Sequence, residues 1–249
     1  MLTTKAPVAC FLAFLAPASA AAQVFAGPEF RVIWSAQNQP SGESTDVVAR
    51  RFDAAGTPLG GDILVNTYTA GVQGWRGSTD AAVDRVGNLV VVWASDGQDG
   101  SYDGVFGQRL GASGAPVGAE CQVNTYTTGD QGSRQFRGSV AVTRAPDGRF
   151  VVVWMGGQQD GSGFGIFGQR YDAAGAPAGA EFRVNTNTTD AQTTPDVAMD
   201  GNGNLVVVWS SFGQDGSLGG VFGRRFAASG AAQGSEFQVN TNKWACSSA

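Results

Sequence analysis

A block of sequence recurs along almost the whole chain, and a repeat constrains a fold more tightly than composition does. Its clearest copy runs Val206-Val207-Val208-Trp209, Gly213-Gln214-Asp215-Gly216-Ser217, Gly220-Val221-Phe222-Gly223-Arg224-Arg225-Phe226 and Glu236-Phe237-Gln238-Val239-Asn240-Thr241. The same words return around Trp154, around Trp93 and, decayed, around Trp34, so the tryptophans lie 59, 61 and 55 residues apart. A period of this size means stacked supersecondary units that cannot bury their apolar faces singly.

Each copy holds four short runs rich in valine and aromatics, separated by Gly, Asp, Asn and Ser, which is the pattern of strands and turns. The run Leu205 to Trp209 is apolar at consecutive positions, so both of its faces are expected to be buried between neighbouring sheets. Tight Gly/Asn turns join the first and second strands, as at Asp200-Gly201-Asn202-Gly203-Asn204. The longest link leads from the fourth strand of one copy to the first of the next, for example Thr125 to Gly138. A long crossover after three antiparallel steps carries the chain from the rim of a propeller blade back to the axis. The sequence therefore predicts an all-β, β-propeller-like domain of about four blades of four antiparallel strands. Copies fall near 28–80, 81–138, 139–194 and 195–242 of a single domain, 23–249, with a divergent tail at 243–249.

The first copy opens at a second-strand match, Phe30 to Trp34, one inner strand short. Either Lys243 to Ser247 supplies that strand and closes a ring, or the arc stays open, with self-association through its exposed edges.

Residues 1–22 read as a secretory signal peptide: Lys5, an apolar stretch from Ala6 to Ala16, and small-residue sites that place cleavage before Ala21 or Gln23. That stretch is too short to span a bilayer, so an exported protein at the periplasm or cell surface is expected, without membrane insertion. The net charge of −5 offers no basic footprint for nucleic acid. Cys121 replaces the aromatic of the Glu-Phe-x-Val pattern and reads as a small core residue; a disulfide to Cys246 is the alternative.

The chain has no histidine, which excludes Ser-His-Asp and Cys-His catalysis and His-ligated zinc. Trp93, Trp154 and Trp209 read as structural, packed between blades. Arg51, Arg109, Arg170 and Arg225 share one third-strand position, and each is followed 11 residues on by an acid: Asp62, Glu120, Glu181 and Glu236. A cross-strand ion pair in every blade is the simple reading. Asp99, Asp160 and Asp215 lie in Gly-rich loops between second and third strands. They serve either as turn formers or, with their oxygens together, as a calcium site. With Trp75 they make the loop face the expected binding surface.

The words Val-Val-Val-Trp, Gly-Gln-Asp-Gly-Ser, Gly-Ile-Phe-Gly-Gln-Arg-Tyr-Asp-Ala-Ala-Gly and Glu-Phe-Arg-Val-Asn-Thr resemble repeats of large secreted or surface-exposed bacterial proteins. Those proteins often carry hemolysin-type calcium-binding or cadherin-like modules as well. The resemblance spans residues 28 to 242 and implies a propeller-like fold with an extracytoplasmic role. The function expected is a secreted, non-enzymatic scaffold for binding or adhesion to an extracellular protein or glycan. One alternative is a glycosidase-like carbohydrate-active enzyme, which needs two carboxylates with separated pKa values. Another is a truncated copy of a larger surface protein.

Overall fold

Valine-rich runs punctuated by Gly-Asn and Asp-Gly turns form four four-stranded antiparallel sheets in a computed structural model that describes residues 22–26, 29–37, 44–133, 136, 138–216 and 218–241. The tail 243–249 with Cys246, and all of the predicted leader but Ala22, lie outside those residues. The first blade holds β1 (Ala22–Ala26), β2 (Glu29–Gln37), β3 (Thr45–Asp53) and β4 (Ile63–Leu64). The second holds β5 (Thr79–Val83), β6 (Leu89–Asp96), β7 (Asp103–Leu110) and β8 (Cys121–Gln122). The third holds β9 (Val140–Arg144), β10 (Phe150–Gly157), β11 (Phe164–Tyr171) and β12 (Phe182–Arg183). The fourth holds β13 (Gln192–Met199), β14 (Leu205–Ser211), β15 (Gly220–Phe226) and β16 (Phe237–Gln238). Strand order within every sheet is sequential from inside to rim, as in a propeller blade.

The inner strand missing from the first copy comes from the N-terminal side: β1 pairs antiparallel with β2, Ala22 opposite Ile33. The inner strands then meet in series, β1 with β5, β5 with β9 and β9 with β13. No comparable packing among the described residues joins the fourth blade to the first. The blades form an open arc.

Burial follows position in that arc. Strands β6 and β10 are buried along both faces, whereas β14 alternates buried and half-buried. The sequence pattern is the same in all three; among the described residues, only β14 lacks a sheet on its second side. Each tryptophan points at the preceding blade. Trp93 packs on Ile33, Val47 and Val65, Trp154 on Val92, Val105 and Val123, and Trp209 on Val153, Ile166 and Val184. All three are at most 1% exposed.

A second device seals every blade. The asparagine of the Val-Asn-Thr word accepts a hydrogen bond from a third-strand amide: Val47 to Asn66, Val105 to Asn124 and Ile166 to Asn185, each at 2.7 Å, and Val221 to Asn240 at 2.8 Å. The side chain continues a ladder that the two-residue outer strand cannot complete.

The predicted arginine–acid pairs do not form, and strand parity says why. Phe106 stands opposite Gln122 and Gly107 opposite Cys121, so cross-strand partners always differ by an even number of positions. An 11-residue separation puts the two side chains on opposite faces of the sheet. In the first blade it is Arg50, twelve positions from Asp62, that meets it at 3.5 Å, while Arg51 pairs with Glu29 at 3.0 Å. The acids of the later blades clasp the blade before them instead. Glu120 accepts from the hydroxyl of Thr67 at 2.9 Å, and Glu181 from the amide and hydroxyl of Thr125 at 2.7 and 2.8 Å. Glu236 accepts from the amide of Thr186. Gln98, Gln159 and Gln214 of the Gly-Gln-Asp-Gly-Ser word donate to the same three carboxylates.

The arginines reach the other way. Arg51 Nη1 donates to Ser113 O at 3.2 Å, Arg109 lies across Gly175 and Arg170 across Gly230, each on the next blade's turn between third and fourth strands. A side chain at Gly230 would collide with the Arg170 guanidinium.

Candidate functional site

The crossovers and the loops between second and third strands emerge at one end of the arc. Gln131 N donates to Asp103 O at 2.6 Å, Phe212 N to Ala191 O at 3.0 Å and Gly74 N to Ala94 O at 2.8 Å, tying the two kinds of loop together. This is the loop face expected from the sequence. Its three aspartates, however, each stay within their own blade. Asp99 and Asp160 accept from the amides of Ser101 and Ser162 at 3.0 and 3.3 Å. Asp215 accepts from the amide side chain of Gln238 at 2.9 Å. Each carboxylate also folds over a glycine that opens the third strand: a Cβ at Gly104, Gly165 or Gly220 would lie 2.8, 2.6 or 3.2 Å from the aspartate oxygen. Gly-Gln-Asp-Gly-Ser is thus a loop-closing unit. Among the described residues no three acidic or thiol side chains come together as a metal site.

Trp75 takes a different position. It opens a one-turn 3-10 segment, Trp75–Gly77, on the crossover into β5. The next crossover carries Phe136 at the corresponding place, and the two meet where Ser139 Oγ donates to Ser78 Oγ at 2.8 Å. Trp75 and Phe136 are both half-buried, and Phe136 rests edge-on against Phe164 with ring centres 5.3 Å apart. The two crossovers therefore carry half-buried aromatic rings and are joined beneath by a fully buried pair of serine hydroxyls.

Just inside it lies a feature that the repeat pattern concealed. Asp80 on β5 and Asp196 on β13 occupy equivalent registers, opposite Val92 and Val208, where β9 has Ala141. Asp80 Oδ2 accepts from the Val142 amide on the neighbouring inner strand at 2.8 Å. Burial pushes its carboxyl up to about 6, against the pull of hydrogen bonds from the Val142 and Ala81 amides, and the charge of Asp196 adds to the rise. Asp196 is exposed and accepts from the Val197 amide at 2.8 Å. The signal available in the sequence was an acid at an inner-strand position that its sister copy fills with alanine.

The described concavities lie elsewhere, between blades. A cleft of about 200 Å³ on the hairpin-turn side is lined by Arg149, Arg170, Tyr171, Met199 and Ala228. Another of about 350 Å³ at the rim involves Cys121, Gln169, Tyr171 and Glu181. Cys121 is exposed there rather than in the core, because the fourth strand is the outermost of its blade. Burial of the sulfur itself, ahead of the opposing charges of Arg109 and Glu120, raises its pKa.

Four sequential antiparallel sheets around a common axis make this an all-β chain of the propeller type. No family model matches the sequence, and no curated protein matches it. In three dimensions it is similar to a protein of unknown function from Dyadobacter fermentans, at TM-score 0.61 and 11% identity, over 89% of this chain and 68% of that one. It is similar to an α-L-arabinofuranosidase from Fusarium graminearum, at TM-score 0.59 and 13% identity, over 90% and 67%. The β-propeller domain of the Trilobed protease from Pyrococcus furiosus, described as having an open velcro topology, aligns at TM-score 0.50 and 7% identity over 91% and 58%. At these identities the likeness speaks to the fold. Among the described residues no helix is long and apolar enough to cross a membrane.

Proposed function

We propose that this chain is an exported, non-enzymatic carbohydrate-binding scaffold that grips a glycan at the axial end of its loop face. The observation that carries the reading is the meeting of the Trp75 and Phe136 crossovers through Ser78 and Ser139. The buried serine pair fixes the two crossovers, and the aromatic rings they carry supply the apolar lining usual in a small-molecule site. The repeated polar words are engaged in building blades, so the side chains that differ from copy to copy are left for recognition. A neighbour in the fold is an α-L-arabinofuranosidase with arabinobiose bound, which supports a sugar as the ligand class. The leader-like residues 1–22 support export. Titration calorimetry of the mature protein with arabinan, xylan and their oligosaccharides tests the proposal. Binding should be lost in Trp75→Ala and kept in Tyr102→Ala, whose ring is 67% exposed on a loop between second and third strands. Unchanged affinity in Trp75→Ala would remove this site.

A glycosidase is the second reading, and Asp80 favours it. Glycoside hydrolysis uses one protonated and one ionised carboxyl group, and Asp80, raised to about 6 near the exposed Asp196, can supply the first. Release of reducing ends from the same polysaccharides, abolished by Asp80→Asn while binding persists, would establish this reading over the scaffold.

A further inference from the structure

We infer that the two ends of the arc are complementary and that the fourth blade of one copy docks on the first blade of a second copy. The template is the contact between successive blades, which the chain builds three times. Its parts are a tryptophan in a valine pocket, an acid on the threonine of the blade before, and an arginine on the turn of the blade after.

Among the described residues, none of another blade fills the receiving half of that contact on the fourth blade. Val221 and Val239 are 37% and 50% exposed, whereas their counterparts inside the arc (Val105 and Ile166, Val123 and Val184) are at most 4% exposed. Val206 and Val208 on β14 are half-buried. Arg225 is exposed, where Arg109 and Arg170 cover the next blade's glycine. Asp196 stands where Asp80 caps the inner strand of the next blade.

The first blade presents the inserting half. Trp34 is half-buried, while Trp93, Trp154 and Trp209 in the same register are at most 1% exposed. Asp62 holds the place of the clasping acids; its side chain is 56% exposed, and its ion pair with Arg50 stays within its own blade. Gly56, equivalent to the arginine-covered Gly175 and Gly230, faces open space. An apolar pocket with Arg225 on one end therefore matches a tryptophan with Asp62 and a bare glycine turn on the other. Each end lacks what the other carries.

This contact joins different surfaces, so it is heterologous and closes only if the rotation per blade allows. Two copies of four blades give eight, at the upper end of the usual propeller range. The arrangement is independent of the glycan reading, because neither end includes Trp75 or Phe136.

The test uses the mature chain and mixing. Light scattering and sedimentation should give a two-copy mass. Val239→Asp, on the receiving end, and Trp34→Asp, on the inserting end, should each give a monomer. An equimolar mixture of the two should recover a two-copy species, because it retains one intact contact. Arg225→Glu and Asp62→Lys, at exposed positions, repeat the design with substitutions that spare the apolar packing, so the result does not depend on how well the first pair folds. A wild-type monomer up to high concentration overturns the proposal and leaves the ends to residues 242–249 or to another protein. Either variant remaining a dimer alone also overturns it, since the contact would then be between like ends.

Discussion

The clasp at Glu181 offers the sharpest quantitative test of how the blades are held. Its carboxylate accepts from the amide and hydroxyl of Thr125 and from the side chain of Gln159. Net contributions of about 0.5–1.5 kcal/mol per hydrogen bond, taken at the low end for a half-exposed rim, make Glu181→Ala cost about 1.5–3 kcal/mol. The partner is identified by double-mutant cycles in urea, read from the midpoint at constant slope. Glu181→Ala against Thr125→Val should couple by about 0.5–1.5 kcal/mol, because one hydroxyl bond is shared. Glu181→Ala against Arg170→Ala should couple by nearly nothing, since the two side chains leave opposite faces of the third blade. A coupling to Arg170 larger than the coupling to Thr125 would refute the parity argument and restore the in-blade ion pair.

Other outcomes follow from the same contacts. Trp154→Ala should cost about 3–5 kcal/mol in the same unfolding assay, and Trp34→Ala in the monomer much less, because its ring is only half-buried. The Asp80 carboxyl is pushed up to about 6 by burial, above the ordinary aspartate value of 3.8. The folded state thus binds the extra proton, and that stability is present below the lower value and lost as pH rises through about 6. Asp80→Asn should flatten the thermal melt between pH 4 and 6, windows set by those same two values; an unchanged slope would show that Asp80 does not titrate there. Asp160→Asn with Asp215→Asn should lower the melting temperature with or without metal, because both carboxylates close loops. Melts in excess calcium and in chelator test the metal reading directly, since a ligand of the folded state alone raises the transition; the separation of the three loop aspartates calls for no rise.

The repeat made the four blades, their strand order and the inter-blade tryptophans legible, because periodicity reports what every copy must do. It hid three things for physical reasons. The inner strand β1 adjoins the leader-like segment and shares no wording with β5, β9 or β13, so the period did not reach it. The partner of each clasping acid was misassigned because a constant spacing fixes where a side chain stands along a strand, while the odd count of 11 decides which blade it faces. Asp80 and Asp196 went unread because they occur in two copies only, inside strands otherwise built of valine and alanine. Trp75, half-buried on the crossover into β5, has Phe136 at the corresponding place of the next crossover, a kinship the repeat wording does not show because the two residues differ.

The direction of the clasp bears on how such a chain comes into being. Trp93, Trp154 and Trp209 and the clasping acids Glu120, Glu181 and Glu236 all look back toward a blade of lower residue number. Synthesis proceeds from the N-terminus, so the surface that each new blade needs already exists when that blade emerges. Assembly can then be vectorial, with each unit templated on its predecessor, and an unfinished chain exposes the same single growing end at every length.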